Sequence, residues 1–201
     1  MYSQNNEEKV ILEYFKGRQG TFLDIGANDG ETLSNTRALY LDGWQGVCVE
    51  PMGDAFSKLS KLYEGTVVQP IQIAISDYNG YSVFYESGSH LKKGDTGLLS
   101  TLSSTEILRW KGTEEFTESG TNVCDFQTFL GLSSYKKFNF ISCDAEGVDY
   151  LIIKQINFDE LGVEMLCVET NSVDNEKYDR LMETWGFILH YSNFENRIYV
   201  K

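Results

Sequence analysis

The stretch FLDIGANDGET, residues 22–32, decides the fold class of this chain. An apolar run of strand length leads into a loop with Gly26 and Gly30, as at the nucleotide-binding edge of a parallel α/β sheet. Three acids lie in or beside the same loop: Asp24, Asp29 and Glu31. Because carboxylates repel phosphate groups, we expect the ligand of this loop to be held by groups other than phosphates.

The composition predicts one globular domain over residues 1–201, with 13% aromatic residues. A net charge of −13 disfavours non-specific binding to nucleic acid or to an anionic membrane. The chain has no apolar run of membrane-spanning length and does not begin like a signal peptide, so we expect a cytoplasmic protein. Its four cysteines lack metal-binding spacing and are expected to be reduced core residues.

Strands and helices alternate along most of the chain. Apolar runs predict strands at 21–25, 45–50, 67–76, 138–146 and 164–170. Helical spacing predicts helices at 7–16 (within an N-terminal helical segment, 1–18), 31–41, 54–63, 125–132, 149–156 and 175–185. This alternation predicts a parallel sheet with right-handed crossovers, and Pro70 requires an edge or irregular position for the third strand.

Three regions depart from this alternation. The run YSVFYE, residues 81–86, predicts an added strand paired through the preceding YNG turn. The polar segment 88–105 is interpreted as a mobile loop over the active edge of the sheet. It belongs to an insertion, 87–123, that we expect to bind the acceptor or act as a lid, with a solvated surface insertion as the alternative. The end of the chain, 186–201, predicts an antiparallel hairpin.

Polar residues follow each of the five predicted parallel strands. They are, in order, Asp24 with the GANDG loop, Glu50, Ser76-Asp77, Asp144-Ala145-Glu146-Gly147 and Glu169-Thr170-Asn171. Helix caps and strand-ending turns explain one or two such ends. Because ligands of open α/β sheets bind at the carboxyl ends of the strands, the set predicts one site at this edge.

The first loop fits S-adenosylmethionine better than a dinucleotide. The GxGxxG fingerprint is absent, since Asn28 stands where a second glycine lets backbone approach a pyrophosphate. S-adenosylmethionine has no phosphate, and its ammonium and sulfonium groups are cationic. We expect Asp24 to hold the ammonium, directly or through water, and Glu50 to accept from the ribose hydroxyls. The other predicted cofactor-binding residues are Ser76 and Asp77 beside the adenine, together with Gly26, Ala27, Asn28, Gly30, Pro51 and Asp144.

The stretches FLDIGANDGET, GVCVEP, IAISD, STLSS and FISCDAEGVDYLII together resemble the FkbM family of S-adenosylmethionine-dependent methyltransferases. The likeness covers about residues 20–171, and the pairing of the first motif with DAEGVD is its most specific part. The family typically shows D-x-E-G-x-E there, whereas this chain ends the pattern with Asp149. The resemblance implies a class I methyltransferase fold with a seven-stranded sheet. It also implies O-methylation of a sugar, glycan or polyketide-like small molecule.

Methylation of a sugar hydroxyl needs a base or a metal ion to weaken the O–H bond. We predict Asp144 as the base and Glu146 as the group that holds the substrate or the local turn. Two residues apart on an extended segment, their side chains point to the same side, and one pKa should rise. A helix-entry turn is the alternative explanation for Glu146 and Asp149.

Other candidates carry weaker signals. A divalent metal is possible but not favoured, with Asp144, Glu169 and Asn171 as its oxygen ligands. Acceptor contacts are predicted for Thr101, Ser103, His90 and Glu169, and Lys92 and Lys93 are available for an anionic acceptor. Two other functions stay open: an NAD(P)-dependent oxidoreductase, disfavoured by the missing glycine, and a catalytically silent cofactor-binding protein.

Overall fold

The structure, a computed structural model, describes residues 1–88, 90 and 95–201. Lys92, Lys93 and part of the loop predicted at 88–105 lie outside the described residues. The strands are β1 (Thr21–Ile25), β2 (Gln45–Val49), β3 (Val68–Ile71), β4 (Ala74–Ile75), β5 (Gly80–Glu86), β6 (Thr117–Cys124), β7 (Phe140–Cys143), β8 (Met165–Glu169), β9 (Ile188–Ser192) and β10 (Asn196–Val200). The helices are α1 (Glu7–Phe15), α2 (Arg37–Leu41), α3 (Gly53–Leu62), α4 (Ser104–Arg109), α5 (Phe126–Leu132), α6 (Asp149–Ile153), α7 (Phe158–Leu161) and α8 (Asn175–Thr184).

Seven strands form the main sheet, in the order β3-β2-β1-β7-β8-β10-β9. The first five in that order are parallel, and β10 runs antiparallel to both β8 and β9. The predicted α/β fold, a seven-stranded, mostly parallel sheet with a terminal antiparallel hairpin, is confirmed. The strand order reverses between β1 and β7, and the crevice at such a switch point is where open α/β sheets bind their ligands.

Side chains alternate between the two faces of the sheet, and each face is covered by its own helices. Phe22 and Phe140 point to one face, where they join a cluster with Ile11 of α1 and residues of α2 and α3. Leu23 and Ile141 point to the other, where the cluster draws on α5, α6, α7 and α8. Helices therefore cover both faces, as predicted, and the polar strand ends remain at the edge.

The third predicted strand, 67–76, divides into two. β3 ends at Ile71, and β4 belongs to a second sheet with the order β4-β6-β5. Pro70 lies in β3, an edge strand of the main sheet, where its missing amide hydrogen is tolerated. The expectation that Ser76 and Asp77 follow a strand of the main sheet is therefore wrong, because the chain leaves that sheet after β3.

The helix predicted at 31–41 is shorter than expected and begins at Arg37. The carboxylate of Asp29 accepts hydrogen bonds from the amides of Glu31 (3.0 Å) and Thr32 (2.7 Å), and from the Thr32 hydroxyl (2.8 Å). An aspartate that captures nearby amides in this way offers the backbone an alternative to the helix. Asp29, within the GANDG loop, therefore shapes a turn before α2.

The strand predicted at 81–86 exists, as β5, but its expected pairing with the preceding strand is wrong. β5 pairs antiparallel with β6, and β6 lies between β5 and β4. The sequence of β6, TESGTNVC, is mostly polar and contains a glycine, so its pattern did not predict a strand. The segment 87–123 thus contains α4 and most of β6.

The four cysteines are buried and unpaired, as predicted. Among the described residues, no helix is both long and apolar enough to cross a membrane.

Candidate active site

A cavity opens at the carboxyl ends of β1, β2, β7 and β8. Its described lining includes six carboxylates: Asp24, Glu50, Asp144, Glu146, Glu169 and Glu195. Within that described lining, Arg109 is the only lysine or arginine. Such a cavity favours a cationic ligand and repels a phosphate.

The loop after β1 brings backbone close to this cavity. Gly26 has φ 80°, and a Cβ on it would lie 1.7 Å from the carbonyl oxygen of Asp144, so only glycine fits. Asn28 has φ 49° and is fixed by its side chain, which donates to the carbonyl of Thr96 (3.2 Å) and accepts from the Thr96 hydroxyl. Gly26, Ala27 and Asn28 all line the cavity, as predicted for cofactor-binding residues.

Gly30 is not among the residues that line the cavity. It has φ 80°, and a Cβ there would lie 2.8 Å from Leu59 and 2.9 Å from Leu62. Its glycine is therefore required by the packing of the loop against α3.

Glu50 lies at the end of β2 and lines the cavity, together with Pro51. One carboxylate oxygen accepts from the amide of Asn28 (2.8 Å) and the other from the amide of Met52 (2.8 Å). Burial raises the pKa of Glu50 to about 7, although both amide hydrogen bonds favour the charged form. Each oxygen keeps a second lone pair, and two such acceptors match a pair of ribose hydroxyls.

Asp24 is 4% exposed at the end of β1, and its carboxylate accepts from the Thr36 hydroxyl (2.5 Å). Burial raises the pKa of Asp24 to about 6, and the Thr36 hydrogen bond opposes that rise. A cation near Asp24 would stabilise its charged form.

The DAEG segment after β7 is a turn and not a continued strand. β7 ends at Cys143, and Glu146 and Gly147 have φ 47° and 91°. The Asp149 carboxylate, at the start of α6, accepts from the amides of Ala145 (2.8 Å) and Gly147 (3.1 Å). The prediction that Asp144 and Glu146 share a side of an extended segment is wrong in its geometry, because this turn, held by Asp149, places them together.

Three carboxylates meet in the cavity beside this turn. Oxygen atoms of Asp144, Glu146 and Glu169 lie within 4.8 Å of one another. Burial first, and then the charge of Asp149, raise the pKa of Asp144 to about 7. Burial and neighbouring carboxylates, Asp144 first among them, also raise the pKa of Glu146 and of Glu169 well above the usual range. Such a group holds protons near neutral pH and can exchange one with a ligand.

The three predicted metal ligands lie in one part of the cavity. Asp144 and Glu169 belong to the carboxylate group, with Glu146 beside them, and Asn171 lines the same cavity and hydrogen-bonds to Glu169. Carboxylate and amide oxygens suit a hard cation. Acidic clusters also occur without metals, so the metal site stays a prediction.

Besides Gly30, four predicted site residues are not among those that line the cavity: Ser76, Asp77, Thr101 and Ser103. Ile73, Ala74 and Ile75 line it where Ser76 and Asp77 were expected, while Asp77 pairs with Lys154 (3.2 Å). The Thr101 hydroxyl donates to the carbonyl of Glu146 (2.7 Å), and the amide of Ser103 donates to Thr101 (2.7 Å). Thr101 therefore holds the acid turn from the side of the segment 87–123.

His90 and Glu169 do line the cavity, and so do residues that the sequence did not predict. The unpredicted set includes Gln4, Leu33, Asn35, Phe84, Trp110 and Phe194. A tryptophan in the polar stretch ILRWKG was the one available signal for Trp110.

The sheet order, with an acidic cavity at its switch point, is that of the class I methyltransferase fold. The chain belongs to the FkbM methyltransferase domain family, whose model matches residues 24–190. This confirms the predicted family, enzyme class and cofactor. No curated protein matches the sequence significantly.

Solved structures resemble the chain in fold at low sequence identity. A protein from Pyrococcus horikoshii described as an RNA methyltransferase has a TM-score of 0.52 and 8% identity, covering 98% of this chain and 82% of its own. A ribosomal protein L11 methylase from Lactobacillus delbrueckii has a TM-score of 0.49 and 9% identity, covering 97% and 76%. A Burkholderia thailandensis 1,6-didemethyltoxoflavin-N1-methyltransferase, solved with S-adenosylhomocysteine, has a TM-score of 0.49 and 10% identity, covering 98% and 75%.

Proposed function

We propose that this enzyme methylates a hydroxyl oxygen of a sugar, a glycan or a similar polyhydroxylated small molecule. The observation that carries this proposal is the group of three carboxylates, Asp144, Glu146 and Glu169, whose oxygen atoms lie close together in the cavity. A hydroxyl must lose its proton as its oxygen is methylated, and a carboxylate with a raised pKa can take that proton.

The residues at the ends of β1 and β2 suit the methyl donor. When bound, S-adenosylmethionine supplies an electrophilic methyl group on a cationic sulfonium. Glu50 offers two anchored oxygens to the ribose hydroxyls, and Asp24 offers a carboxylate to the ammonium group. Gly26 lets the loop pass against the carbonyl of Asp144, which brings the donor loop and the acid turn together.

Asp144 is the proposed base. Its pKa of about 7 lets it be charged in a large fraction of molecules at neutral pH and still bind a proton readily. A hydrogen bond from Glu169 favours the charged form of Asp144. Glu146, in the same carboxylate group, is proposed to accept a hydrogen bond from the acceptor and so to orient it.

The cavity charge supports an acceptor without phosphate. Six carboxylates and a single arginine in the described lining repel a phosphorylated substrate, whereas hydroxyl groups donate readily to carboxylates. This argument, with the net charge of −13, favours a small molecule or glycan over a nucleic acid.

Replacement of Asp144 by Asn tests the base. The amide keeps the size of the side chain but cannot take the proton, so kcat should fall by about 10²–10⁴-fold. Calorimetric titration with S-adenosylhomocysteine should show a retained cofactor site, and Asp54→Asn, at an exposed position of α3, is the matched control. Full activity of Asp144→Asn with any methylated hydroxyl acceptor would remove Asp144 as the base.

The pH dependence of kcat gives a second test of the same residue. Protonated Asp144 cannot act as a base, so kcat should rise with pH and level off above about 7, near its pKa. Below that pH the rate should fall about tenfold per unit. A flat profile between about pH 5 and pH 8 would contradict this role.

A further inference from the structure

The segment 87–123 contributes an aromatic residue to the cavity for which the proposed function has no role. Trp110 follows α4 directly and lines the cavity with His90 and Arg109. His90 lies edge-on to the indole at 5.3 Å between ring centroids, and the Arg109 guanidinium lies 5.2 Å from the indole centroid. Each of these groups belongs to the part of the chain that the sequence associates with acceptor binding.

The backbone of Trp110 is held on both sides. Its amide donates to the carbonyl of Glu106 (3.0 Å), and its own carbonyl accepts from the amides of Thr113 (3.0 Å) and Glu114 (3.1 Å). The Thr113 hydroxyl donates to the same carbonyl (2.9 Å). The indole is therefore carried on a fixed turn, which suits a binding platform because little freedom is lost when a ligand binds.

The indole Nε1–H is shielded from solvent and has no hydrogen-bond partner among the described residues. A buried donor of this kind is usually paired, since leaving it unpaired is costly. Because Nε1 is shielded, Trp110 offers the cavity its apolar ring and not its donor, beside a lining that includes six carboxylates. A sugar ring suits this combination, since its C–H face stacks on an indole and its hydroxyls donate to carboxylates.

α4 also contacts the acid turn. A Cβ at Gly147 would lie 2.8 Å from the Glu106 side chain, and the charge of Arg109 acts on the Glu146 carboxylate. Glu106 and Arg109 are themselves paired (3.0 Å). Trp110, one residue beyond Arg109, therefore shares its helix end with the residues that contact the proposed acceptor-orienting carboxylate.

We propose that Trp110 is the floor of the acceptor subsite and that it takes an uncharged pyranose ring. The apolar C–H face of the sugar stacks on the indole. The hydroxyl groups around the edge of the sugar ring donate to carboxylates of the cavity. This inference rests on the proposed function for the sugar class. It adds the residue on which the ring stacks, while the carboxylates of the cavity disfavour a phosphorylated ring.

The test measures binding before turnover. Wild-type and variant enzymes saturated with S-adenosylhomocysteine are titrated with methyl pyranosides, their 6-phosphates and phenols by isothermal titration calorimetry, and tryptophan fluorescence of the wild type is a second readout. Trp110→Ala should raise the dissociation constant of a neutral pyranoside by about tenfold or more. Trp110→Phe keeps a smaller aromatic face, so it should give a smaller loss of pyranoside affinity and remove the Trp110 fluorescence response.

Leu108→Ala is the matched control, because Leu108 is exposed on α4 and is not among the cavity-lining residues. It should leave pyranoside binding unchanged, and all variants should bind S-adenosylhomocysteine like the wild type. Equal pyranoside affinity in wild type and Trp110→Ala would overturn the inference. So would binding of phosphorylated sugars or phenols in preference to neutral pyranosides, or cofactor binding without any pyranoside binding.

The same titration separates this inference from the proposed function. A neutral pyranoside that binds through Trp110 but yields no methylated product would contradict the O-methylation of sugars and support the subsite. An acceptor that is methylated on a hydroxyl with the same KM in wild type and Trp110→Ala would support the proposed function and contradict the subsite.

Discussion

Two loops at the carboxyl edge of the sheet are stabilised in the same way. In the loop after β1, Asn28 has φ 49° and its amide donates to the carboxylate of Glu50. In the turn after β7, Glu146 has φ 47° and the amides on either side of it donate to the carboxylate of Asp149. In both, a non-glycine residue in the left-handed region is stabilised because a buried acid binds nearby backbone amides.

The two loops differ in which acid faces the cavity. Glu50, which fixes the first loop, lines the cavity, while the side chain of Asn28 is bound to Thr96. In the second, Asp149 is 2% exposed and is not among the lining residues, while Glu146 lines the cavity. In the first loop, one carboxylate therefore both stabilises the backbone and lines the cavity. In the second loop, Asp149 stabilises the backbone and a different acid, Glu146, lines the cavity.

The largest effect should follow from a change in the structural acid of the second loop. Asp149→Asn keeps the size of the side chain but leaves only one oxygen to accept from backbone amides. The amide of Ala145 or of Gly147 therefore loses its partner. We expect a free energy of unfolding lower by about 1–3 kcal/mol. A displaced carboxylate turn should lower kcat by about 10²-fold. Urea unfolding and initial rates measure the two effects.

Asp125→Asn is the control for Asp149→Asn. Asp125 also begins a helix and accepts from an amide, that of Thr128 (2.7 Å), but it lies outside the cavity lining. The Asp125→Asn variant should have a lower free energy of unfolding but an unchanged kcat. If both variants lose only stability, Asp149 does not position the acid turn.

These two loops also show how much was predictable. The β1 loop was recognisable because its glycines and acids lie in one continuous stretch, and Glu50 follows at a spacing set by one βα unit. The acid turn was located correctly but assigned an extended geometry, because nothing local reveals that Glu146 adopts φ 47°. Other walls of the cavity come from α4 and from the β9–β10 turn. Their positions could not be predicted, because they depend on tertiary packing, which a polar sequence pattern does not encode.

A smaller effect should follow from a change in the acid of the first loop. Glu50→Gln retains one acceptor oxygen but places an amide nitrogen against the N–H of Asn28 or Met52. We expect affinity for S-adenosylhomocysteine to fall by about tenfold, as expected for loss of a charged hydrogen-bond partner. Isothermal titration checks this, with Glu118→Gln at an exposed position of β6 as control. Unchanged affinity would contradict the assignment of Glu50 to the ribose.

The smallest effect should follow from Asn28→Gly, which tests the other half of the first loop. Glycine removes the cost of φ 49° but also the hydrogen bonds to Thr96, so the two effects oppose each other. Lys16→Gly is the control that isolates the first effect. Lys16 has φ 48° at an exposed position after α1, so its replacement should stabilise the protein by about 0.5–1 kcal/mol.

Asn28→Gly should therefore stabilise less than Lys16→Gly, or not at all. Amides at residues 98–100 should exchange hydrogen faster in Asn28→Gly, because Thr96 no longer holds that segment to the donor loop. Equal stabilisation by both variants, with unchanged exchange, would mean that the Thr96 contacts contribute nothing. Glu50 would then be the acid that stabilises the loop after β1, as Asp149 stabilises the turn after β7.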